Sequence, residues 1–553
     1  MTPEQLASTI LHALTALSDD GTVTVEGGLP RELTVERPKN PEHGDYASNV
    51  AMQLGKRAGM APRQFAELLA AKLRDEPGIS AVEIAGPGFI NIRVAADAQG
   101  RVAAAILEAG ASYGHTDTLH GQKINLEFIS ANPTGPLHLG HTRWAAVGDA
   151  LARVLSAAGA DVTREFYLND RGNQMDKFGA SLMAAANGQP IPEDGYHGEY
   201  IHDLAKQIVA DEPGITDLPA GEQLIAFRES GYQRQHEEQK AQLEHFRTTF
   251  DVWYSERSLI DNNGVEHAIE KLREQGHLYD ADGALWMRTT DFTDDKDRVL
   301  IRTNGEPTYF ASDAAYYVAK RERGFDVCIY LLGADHHGYV NRLKAIAACA
   351  GDDPEHNIEI LIGQLVKILK GGEEMRLSRR AGNIVTLAEL VDEGGVDPLR
   401  YTLCRYPADS PLTLDIEMIT RQVSENPVFY VQYAHARLAS ILRNAADLGI
   451  SNENGFDPAL LDHDREGDLL RALAEFPRVV ATAAELREPH RIARYLEDTA
   501  SAFHKFYDTC RVLPRGDEPA EPVHIARLTL VAATRTVVAN GLELLGVSAP
   551  ERM

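Results

Sequence analysis

The sequence predicts an α/β protein in which a small N-terminal α/β domain precedes a parallel sheet with a helical insertion, followed by an all-α bundle. Strand and helix patterns alternate from residue 124 onward, which is typical of βα units in a parallel sheet. The alternation stops between about residues 175 and 295, where the sequence is charged and mainly helical. After residue 405 only helical patterns follow, which indicates a bundle. A chain of 553 residues is long enough for several such domains.

We expect the first domain to span residues 1–110. Residues 3–17 and 62–73 carry apolar side chains at helical spacing, which predicts two amphipathic helices. Residues 81–85 and 89–94 have the composition of strands, and they flank the turn sequence Gly-Pro-Gly. These elements form a unit that is separate from the parallel sheet.

The second predicted domain, residues 111–405, contains the sheet. Residues 124–129 and 327–332 are short apolar runs that predict buried strands. Helical patterns follow them or lie between them, at residues 141–155, 311–321 and 342–349. Within the insertion, residues 236–250 and 265–275 are also predicted to be helical.

The third predicted domain, residues 406–553, is helical throughout. Pro477 lies inside the second predicted helix and is expected to kink or split it. Polar loops at 451–458 and 514–522 separate some of the helices. The four predicted helices cover residues 426–443, 468–486, 491–513 and 523–545.

The composition indicates a globular protein with a strong acidic excess. The 55 Lys and Arg residues against 82 Asp and Glu give a formal net charge of −27, which argues against nucleic-acid binding over a broad surface. Any RNA contact must therefore come from confined basic patches. Four scattered cysteines without Cys-x-x-Cys spacing indicate reduced core thiols. The N-terminal residues lack the features of a signal peptide, and no apolar run is long enough to span a bilayer, so we expect a cytoplasmic protein.

The most informative motif is Ser-Ala-Asn-Pro-Thr-Gly-Pro-Leu-His-Leu-Gly-His, residues 130–141. Its two prolines disfavour helix in the residues just before them, so the helix begins near its end. A helix N-terminus presents unpaired N–H groups that suit phosphate. His138 and His141 are three residues apart and share a face of the first turn, while Gly140 leaves room for a flat ring. The alternative is a helix cap with two solvated histidines, and the motif alone leaves both interpretations open.

A second motif, Met-Arg-Leu-Ser-Arg-Arg-Ala-Gly-Asn at residues 375–383, is a basic, hydroxyl-bearing loop with glycines on both sides. Such a loop can close on a triphosphate, where its cations stabilise the charge of the leaving group. In isolation, a solvated basic loop is the commoner explanation for such a sequence.

A third motif, Gly-Ala-Asp-His-His-Gly at residues 333–338, follows an apolar strand. The carboxyl end of a parallel strand is where ligands bind in open α/β sheets. Asp335 is suited to ribose hydroxyls, and the adjacent histidines are suited to frame an adenosine. A zinc site is the rival interpretation, but adjacent histidines point apart and no cysteine lies nearby.

These motifs together resemble the arginyl-tRNA synthetase family, a branch of the class I aminoacyl-tRNA synthetases. The His-Leu-Gly-His element is similar to the class I signature, and its flanks from Glu127 to Asn132 and at Arg143 are similar to the arginyl version. Residues 375–383 resemble the mobile Lys-Met-Ser-Lys-Ser loop, with Arg376 and Arg379 in the two Lys positions. Further blocks at 395–401, 426–437 and 544–553 extend the resemblance over essentially the whole chain.

The resemblance implies a class I Rossmann-like catalytic domain, an N-terminal domain that contacts the tRNA elbow, and a C-terminal anticodon-binding bundle. It implies an arginine–tRNA ligase that forms arginyl-adenylate from arginine and ATP, with Mg²⁺, and then charges tRNA(Arg). A monomer without zinc or a tightly bound cofactor is expected. The family typically needs bound tRNA for the first step, and we expect the same here.

The resemblance also implies roles for individual residues. The expected catalytic residues are His138 and His141 at the α-phosphate and Arg376, Ser378 and Arg379 at the leaving pyrophosphate. ATP is expected to contact Asn132, Pro133, Thr134, Gly135, His138, Gly140, His141, Asp335 and His337. Arginine is expected to contact Glu127, Asn132, Tyr309 and Asp313, with Asp313 on the guanidinium and Glu127 and Asn132 on the α-amino end. Tyr317 is added to this set by helical spacing, because it lies four residues after Asp313 and would share its helix face. In isolation, Asp313 is also explained as an ordinary charge in the first turn of a helix.

The chain departs from the family pattern at one point. Many arginyl enzymes carry a Lys just before the His-x-Gly-His element and lose the second cation of the mobile loop, whereas this chain has Gly135 and keeps Arg379. The pattern suggests that Arg379 supplies this charge locally, although Arg and Lys hydrogen-bond differently.

Four alternatives remain open at this point. Residues 41–49 are either a tRNA contact or a structural loop with Tyr46 packed locally, and the aromatic stripe of 426–437 is expected to be core rather than a base-stacking platform. Two other functions compete with the ligase: a class I nucleotidyltransferase or amino-acid ligase that does not use tRNA, and a non-catalytic tRNA-binding paralogue.

Overall fold

The computed structural model describes residues 1–553 except 39, 293, 375–384 and 517. A three-stranded antiparallel sheet of order β1-β3-β2 and four helices form the N-terminal unit, which has its own apolar core. Its strands are β1 (Tyr46–Ser48), β2 (Ile79–Ala85) and β3 (Phe89–Val94). Its helices are α1 (Pro3–Asp19), α2 (Val50–Leu54), α3 (Pro62–Arg74) and α4 (Ala96–Ala109).

The central unit is built on a five-stranded, all-parallel sheet of order β11-β10-β4-β5-β6. Two smaller three-stranded sheets, β7-β8-β9 and β13-β12-β14, flank it. The strands are β4 (Lys123–Glu127), β5 (Asp161–Leu168), β6 (Val252–Ser255), β7 (Leu278–Ala281), β8 (Ala284–Met287), β9 (Arg298–Ile301), β10 (Val327–Gly333), β11 (Ile358–Gly363), β12 (Val366–Lys370), β13 (Glu373–Glu374) and β14 (Leu412–Asp415).

Helices cover the central sheet. The helices α6, α7 and α8 lie between β5 and β6 along the chain, and we refer to these three as the helical insertion. The helices are α5 (Leu139–Ala157), α6 (Asn173–Ala186), α7 (Glu199–Asp211), α8 (Ala220–His245), α9 (Glu256–Asp261), α10 (Gly264–Glu274), α11 (Tyr309–Glu322), α12 (Val340–Cys349), α13 (Leu387–Gly394), α14 (Val396–Cys404) and α15 (Ile416–Ile419).

The C-terminal unit is a bundle whose apolar core is continuous with that of the sheet. Its helices are α16 (Pro427–Asp447), α17 (Asp464–Ala474), α18 (Phe476–Glu485), α19 (His490–Thr509) and α20 (Pro522–Leu544). Pro477 lies in the first turn of α18, so the predicted second helix is split there, as expected. Within the described residues no helix is long and apolar enough to cross a membrane, and the four cysteines are buried and unpaired.

The predicted fold class is confirmed, but several element predictions were wrong. The strand at 124–129 ends at Glu127, because Ile129 and Ser130 adopt left-handed backbone angles (φ 69° and 44°) that no strand accommodates. The insertion predicted at about 175–295 is mainly helical, as expected, but it also contains β6, an edge strand of the main sheet, and the hairpin β7–β8. Strand β14 also lies beyond residue 405, where helices alone were expected.

The guanidinium of Arg400, which forms a buried ion pair within the central unit, also joins this unit to the C-terminal unit. Asp149 of α5 and Arg400 of α14 are both fully buried, and their Oδ2 and Nη2 atoms lie 2.5 Å apart. Arg400 also donates hydrogen bonds to the carbonyls of Phe246, Arg247 and Leu545. One guanidinium therefore fixes the first helix of the sheet, the end of α8 and the segment after α20.

A second joint connects the N-terminal unit to the bundle. The Asp45 carboxylate accepts hydrogen bonds from Val94 N and Gln99 Nε2, and it forms an ion pair of 2.6 Å with Arg471 of α17. Arg478 of α18 donates to the carbonyl of Val35. The first and last units of the chain are thus in direct contact.

Candidate active site

The candidate site lies at the carboxyl ends of β4, β5 and β10, in the middle of the parallel sheet. The chain leaves β4 toward β5 on one side, whereas β10 pairs with β4 on the other. Such a reversal of strand order opens a crevice at the carboxyl edge of the sheet, where ligands bind in open α/β folds. The first and third motifs that the sequence singled out adjoin this edge.

The first motif forms the N-terminus of α5, as predicted. His138 is the N-cap residue: its Nδ1 accepts from Gly140 N at 3.2 Å, and its own N–H donates to His141 Nδ1 at 3.2 Å. The two imidazole rings are 3.8 Å apart at their centroids. Gly140 is exposed, and a Cβ at that position would lie 3.2 Å from His138 Cε1. The motif therefore caps the helix and places two half-buried rings beside its N–H groups.

The second motif cannot be placed directly, because Arg376, Ser378 and Arg379 lie outside the described residues. The segment that follows it is described, and it lies against the first motif. Leu139 N donates to the carbonyl of Val385, and Leu387 N donates to the carbonyl of Leu137 at 2.8 Å. Residues 385–387 and residues 137–139 are thus neighbours in space, although more than 200 residues separate them in sequence.

The loop between β4 and α5 is partly buried. Pro133 and Thr134 are buried, Gly135 is half-buried and Asn132 is exposed. The Asn132 side chain accepts a hydrogen bond from Asn169 and donates one to Gln174. Asn132 is therefore the residue of this loop whose side chain is both exposed and held in one orientation.

Carboxylates converge below this loop, around Asp313 in the first turns of α11. Asp313 is half-buried and accepts a hydrogen bond from the Tyr339 hydroxyl. Burial and the charge of Glu127 raise the pKa of Asp313 to about 6, against the opposing effects of Tyr339 and His336. Burial and repulsion at this position indicate a site that favours a cation.

Glu256, the first residue of α9, belongs to the same cluster, and sequence reasoning did not assign it a role. It is 6% exposed. Burial and the charges of Asp170 and Asp313 raise the pKa of Glu256 to about 7, while Arg171 opposes the rise. The sequence offered only a weak signal, because a single Glu at a helix start is ordinary.

Glu127, at the end of β4, carries a buried ion pair of its own. Its Oε2 lies 2.5 Å from Nζ of Lys320, which is fully buried, and its Oε1 accepts from Ser130 Oγ at 3.0 Å. The Lys320 ammonium also lies over the rings of Tyr316 and Tyr330. Lys320 thus offsets much of the charge of Glu127, which leaves Asp313 and Glu256 as the less compensated carboxylates.

The two tyrosines predicted from α11 differ in position. Tyr309 is 72% exposed at the start of the helix, on the side of Gly172. Tyr317 is fully buried, and its hydroxyl donates to Asp352 Oδ2 at 2.9 Å. The structure therefore does not bring Tyr317 into the site. The buried hydroxyl needs a partner, and Asp352 supplies it away from Asp313.

The third motif forms a turn at the mouth of the crevice. Asp335 and His337 are exposed on the short helical turn Ala334–Tyr339, directly after β10. The described residues contain no group of three or more His, Cys, Asp or Glu side chains arranged to hold a metal.

Two surfaces away from the crevice correct or sharpen expectations. Tyr433 is 40% exposed, and its ring stacks with Phe429 at 6.0 Å, so the prediction that the aromatic stripe is core is wrong for this row of α16. The side chains of α16 that pack into the core are those one or two positions along the helix from this row.

The segment at residues 41–49 of the N-terminal unit has both a buried and an exposed part. Tyr46 is 1% exposed and packs in the N-terminal core, whereas Asn49 and the exposed ring of Phe89 line a cleft of about 320 Å³.

Comparisons of the sequence and of the fold with known proteins match arginyl-tRNA synthetases or their domains. Family profiles match along the chain: the arginyl tRNA synthetase N-terminal domain at residues 4–94, the class I (R) tRNA synthetase catalytic domain at 102–400, and the DALR anticodon binding domain at 431–553. Arginine–tRNA ligases of Paenarthrobacter aurescens and Frankia alni are each 56% identical to it over 554 residues, covering 100% of both chains. The arginyl-tRNA synthetase of Thermus thermophilus, 22% identical and covering 100% of both chains, shares its fold with a TM-score of 0.76.

Proposed function

The chain belongs to the arginyl-tRNA synthetase family, and from that premise we propose how its own residues bind and activate the substrates. The enzyme is an arginine–tRNA ligase, which forms arginyl-adenylate from arginine and ATP and transfers the arginyl group to the 3′-terminal adenosine of tRNA(Arg). The match over the full length, including the bundle, leaves no support for a ligase that does not use tRNA.

The cluster of carboxylates around Asp313 carries the proposal for the arginine pocket. Asp313 and Glu256 repel each other in a partly buried site, and a guanidinium that binds between them replaces that repulsion with attraction. We place Asp313 and Glu256 on the guanidinium. Glu127, which was expected at the α-amino end, is instead placed behind these two carboxylates, because Lys320 already pairs with it. Asn132, exposed and oriented by two neighbours, binds the α-amino end. Tyr309 covers the pocket from outside.

We place the triphosphate at the start of α5. His138 and His141 contact the α-phosphate at the positive N-terminal end of the helix, and Gly140 lets the adenine ring approach. Asp335 and His337 at the mouth of the crevice are suited to the adenosine. Arg376, Ser378 and Arg379 stabilise the pyrophosphate, and the contact of residues 385–387 with the first motif supports this assignment. Magnesium enters with ATP as part of the substrate.

The chemistry then requires positioning rather than a general base. The arginine carboxylate is already ionised, so it attacks the α-phosphate in line and pyrophosphate leaves. The two histidines and the arginines Arg376 and Arg379 stabilise the negative charge that develops on the phosphate oxygens. In the second step, the 2′-hydroxyl of the terminal adenosine attacks the carbonyl of the adenylate and AMP leaves.

Two surfaces are proposed to contact the tRNA. The exposed Tyr433 and the half-buried Phe429 and Arg437 form a row on α16. The Arg437 guanidinium lies 4.3 Å from the ring centroid of Tyr507, and such a row of rings and a cation suits unpaired bases. The cleft beside Asn49 and Phe89 in the N-terminal unit is the second surface. We propose a monomeric, cytoplasmic enzyme, which agrees with its buried free thiols.

ATP–pyrophosphate exchange across the amino acids, with and without tRNA(Arg), tests this assignment. We expect exchange with arginine alone among the amino acids, stimulated by tRNA(Arg). Exchange with another amino acid, or none with arginine plus tRNA(Arg), would overturn it.

A further inference from the structure

We propose that Tyr200 and Gln239, two side chains of the helical insertion, are positioning residues that hold the loop at residues 132–135 in its active geometry. The inference rests on the placement of arginine and ATP against this loop given above. It assigns to the insertion a direct part in the activation of arginine.

The insertion holds the loop by its backbone carbonyls. Gln239 of α8 donates from Nε2 to the carbonyl of Asn132 at 3.1 Å and to that of Gly135 at 2.8 Å. Tyr200 of α7 donates its hydroxyl to the carbonyl of Thr134 at 3.0 Å. Three of the four carbonyls of this segment are therefore fixed by two side chains of the helical insertion.

The loop has little means of fixing itself. Pro133 and Pro136 have no N–H group, so two potential donors are missing from a short segment. Among the described residues, no backbone-to-backbone hydrogen bond involves residues 131–136. The side chain of Asn132 also depends on Gln174 of the insertion. The geometry of the loop thus follows the position of α6, α7 and α8.

The hydrogen bonding of Gln239 and the close approach of Tyr200 indicate that these side chains position the loop and do not merely pack against it. Gln239 is fully buried, and among the described residues its Oε1 has no hydrogen-bond partner, a costly arrangement for an amide. Its two N–H groups are nevertheless committed to the loop. At Gly135 a Cβ would lie only 3.3 Å from the Tyr200 hydroxyl, so the loop approaches this donor closely.

The effect on the reaction follows from where the loop ends. Asn132, proposed to hold the α-amino group of arginine, begins the segment, and His138 follows it three residues after Gly135. Freeing the carbonyls shifts arginine relative to the α-phosphate. A small misplacement of the attacking group costs up to about a hundredfold in rate while each substrate still binds.

The test compares isosteric variants with matched controls on the same insertion. Gln239→Met and Tyr200→Phe remove the donors. Gln223→Met is the control for the first, because Gln223 is a buried amide of α8 that donates to Ile215 within the insertion. Tyr196→Phe is the control for the second, since the Tyr196 hydroxyl has no hydrogen bond to a described residue. Exchange kinetics with saturating tRNA(Arg) and melting temperatures are measured for all four.

We expect Gln239→Met to lower the kcat of arginine activation about ten- to a hundredfold and Tyr200→Phe about fivefold, with KM for ATP changed less than threefold. The controls should keep native kcat, even where their melting temperature falls as far. Equal kcat in Gln239→Met and Gln223→Met would overturn the inference. If the site itself is misplaced, His138→Ala will also keep its activity, which separates the two failures.

A charged variant supplies a second readout that packing alone does not move. In Gln239→Glu, a protonated carboxyl group still donates one hydrogen bond to the loop, whereas the ionised form repels the carbonyls. Its activity should fall as pH rises between about 6 and 8, with the native enzyme as the reference. A pH profile parallel to the native one would count against a role for these donors.

Discussion

Replacing Asp313 with Asn removes one negative charge from the proposed arginine pocket while it keeps the size of the side chain. A hydrogen bond to a charged group contributes about 1.5–3 kcal/mol, so the KM for arginine should rise about ten- to a hundredfold. The KM for ATP should change little, because the triphosphate is placed at the start of α5. Steady-state exchange with each substrate varied in turn measures both constants.

The pH dependence of the native enzyme gives the same pocket a second signature. With pKa values raised to about 6 for Asp313 and about 7 for Glu256, both carboxylates take up protons as pH falls from 7.5 to 5.5. At pH 5.5 an acid of pKa 6 is about one-quarter ionised and one of pKa 7 only about 3%. Because the guanidinium needs the charged forms, arginine affinity should fall about ten- to a hundredfold over this range.

The stability of the free enzyme should change in the opposite direction. Both folded-state pKa values lie above those of an unfolded chain, so the folded state binds more protons between about pH 4 and 7. This contribution stabilises the protein as pH falls and is lost as pH rises through 6 to 7. Without arginine the melting temperature should therefore gain from mild acid, while the stabilisation by added arginine shrinks.

Asp313→Asn should also shift the acid limb, that is, the pH range over which arginine affinity falls on acidification. Removing this charge relieves Glu256, whose pKa then falls, so arginine affinity in the variant should decline only at lower pH. The reasoning is refuted if the KM for ATP rises more than that for arginine, or if the acid limb stays where it is in the native enzyme.

Three further predictions concern other parts of the molecule. His138→Ala should lower kcat about a hundredfold with smaller changes in KM, as for a contact formed in the transition state, and exchange kinetics would contradict this if KM carried the effect. Arg400→Ala should destabilise the protein by about 3–5 kcal/mol, because it leaves Asp149 buried with Arg153 as its remaining partner. As the control, Arg443→Ala removes an exposed ion pair of 4.0 Å and should leave the melting temperature nearly unchanged. Tyr433→Ala should weaken tRNA binding by about 1–3 kcal/mol in a filter-binding titration, while the equally exposed Tyr406 should tolerate alanine without such a loss.

Local chemistry made much of the site predictable from sequence. The strand–loop–helix junction at His138 was predicted because prolines, glycine and histidines act on their own neighbourhood. Asp313 was assigned through the resemblance of its block to the family, and it lies in the first turns of α11. These features depend on a few adjacent residues, and the structure places them at the carboxyl edge of the sheet.

What depended on distant partners was not predictable in the same way. Glu256 lies in the pocket because it directly follows β6, and β6 pairs with β5. No local sequence pattern predicts this pairing. Tyr317 was assigned to the helix face of Asp313 by helical spacing. Its hydroxyl instead donates a hydrogen bond to Asp352, more than 30 residues later in the sequence. The hairpin β7–β8 did carry a local signal: Asp282 and Gly283 both have positive φ, as a two-residue Asp-Gly turn requires.

The joint between Asp45 and Arg471 has a consequence for how a long ligand is selected. It ties the unit that holds the Asn49 cleft to the bundle that carries Tyr433, so the separation of these two surfaces is set by the protein and not by the ligand. A tRNA that touches both must match this separation along its own length. If both proposed contacts form, the fixed separation selects RNA by its overall shape, independently of any single base.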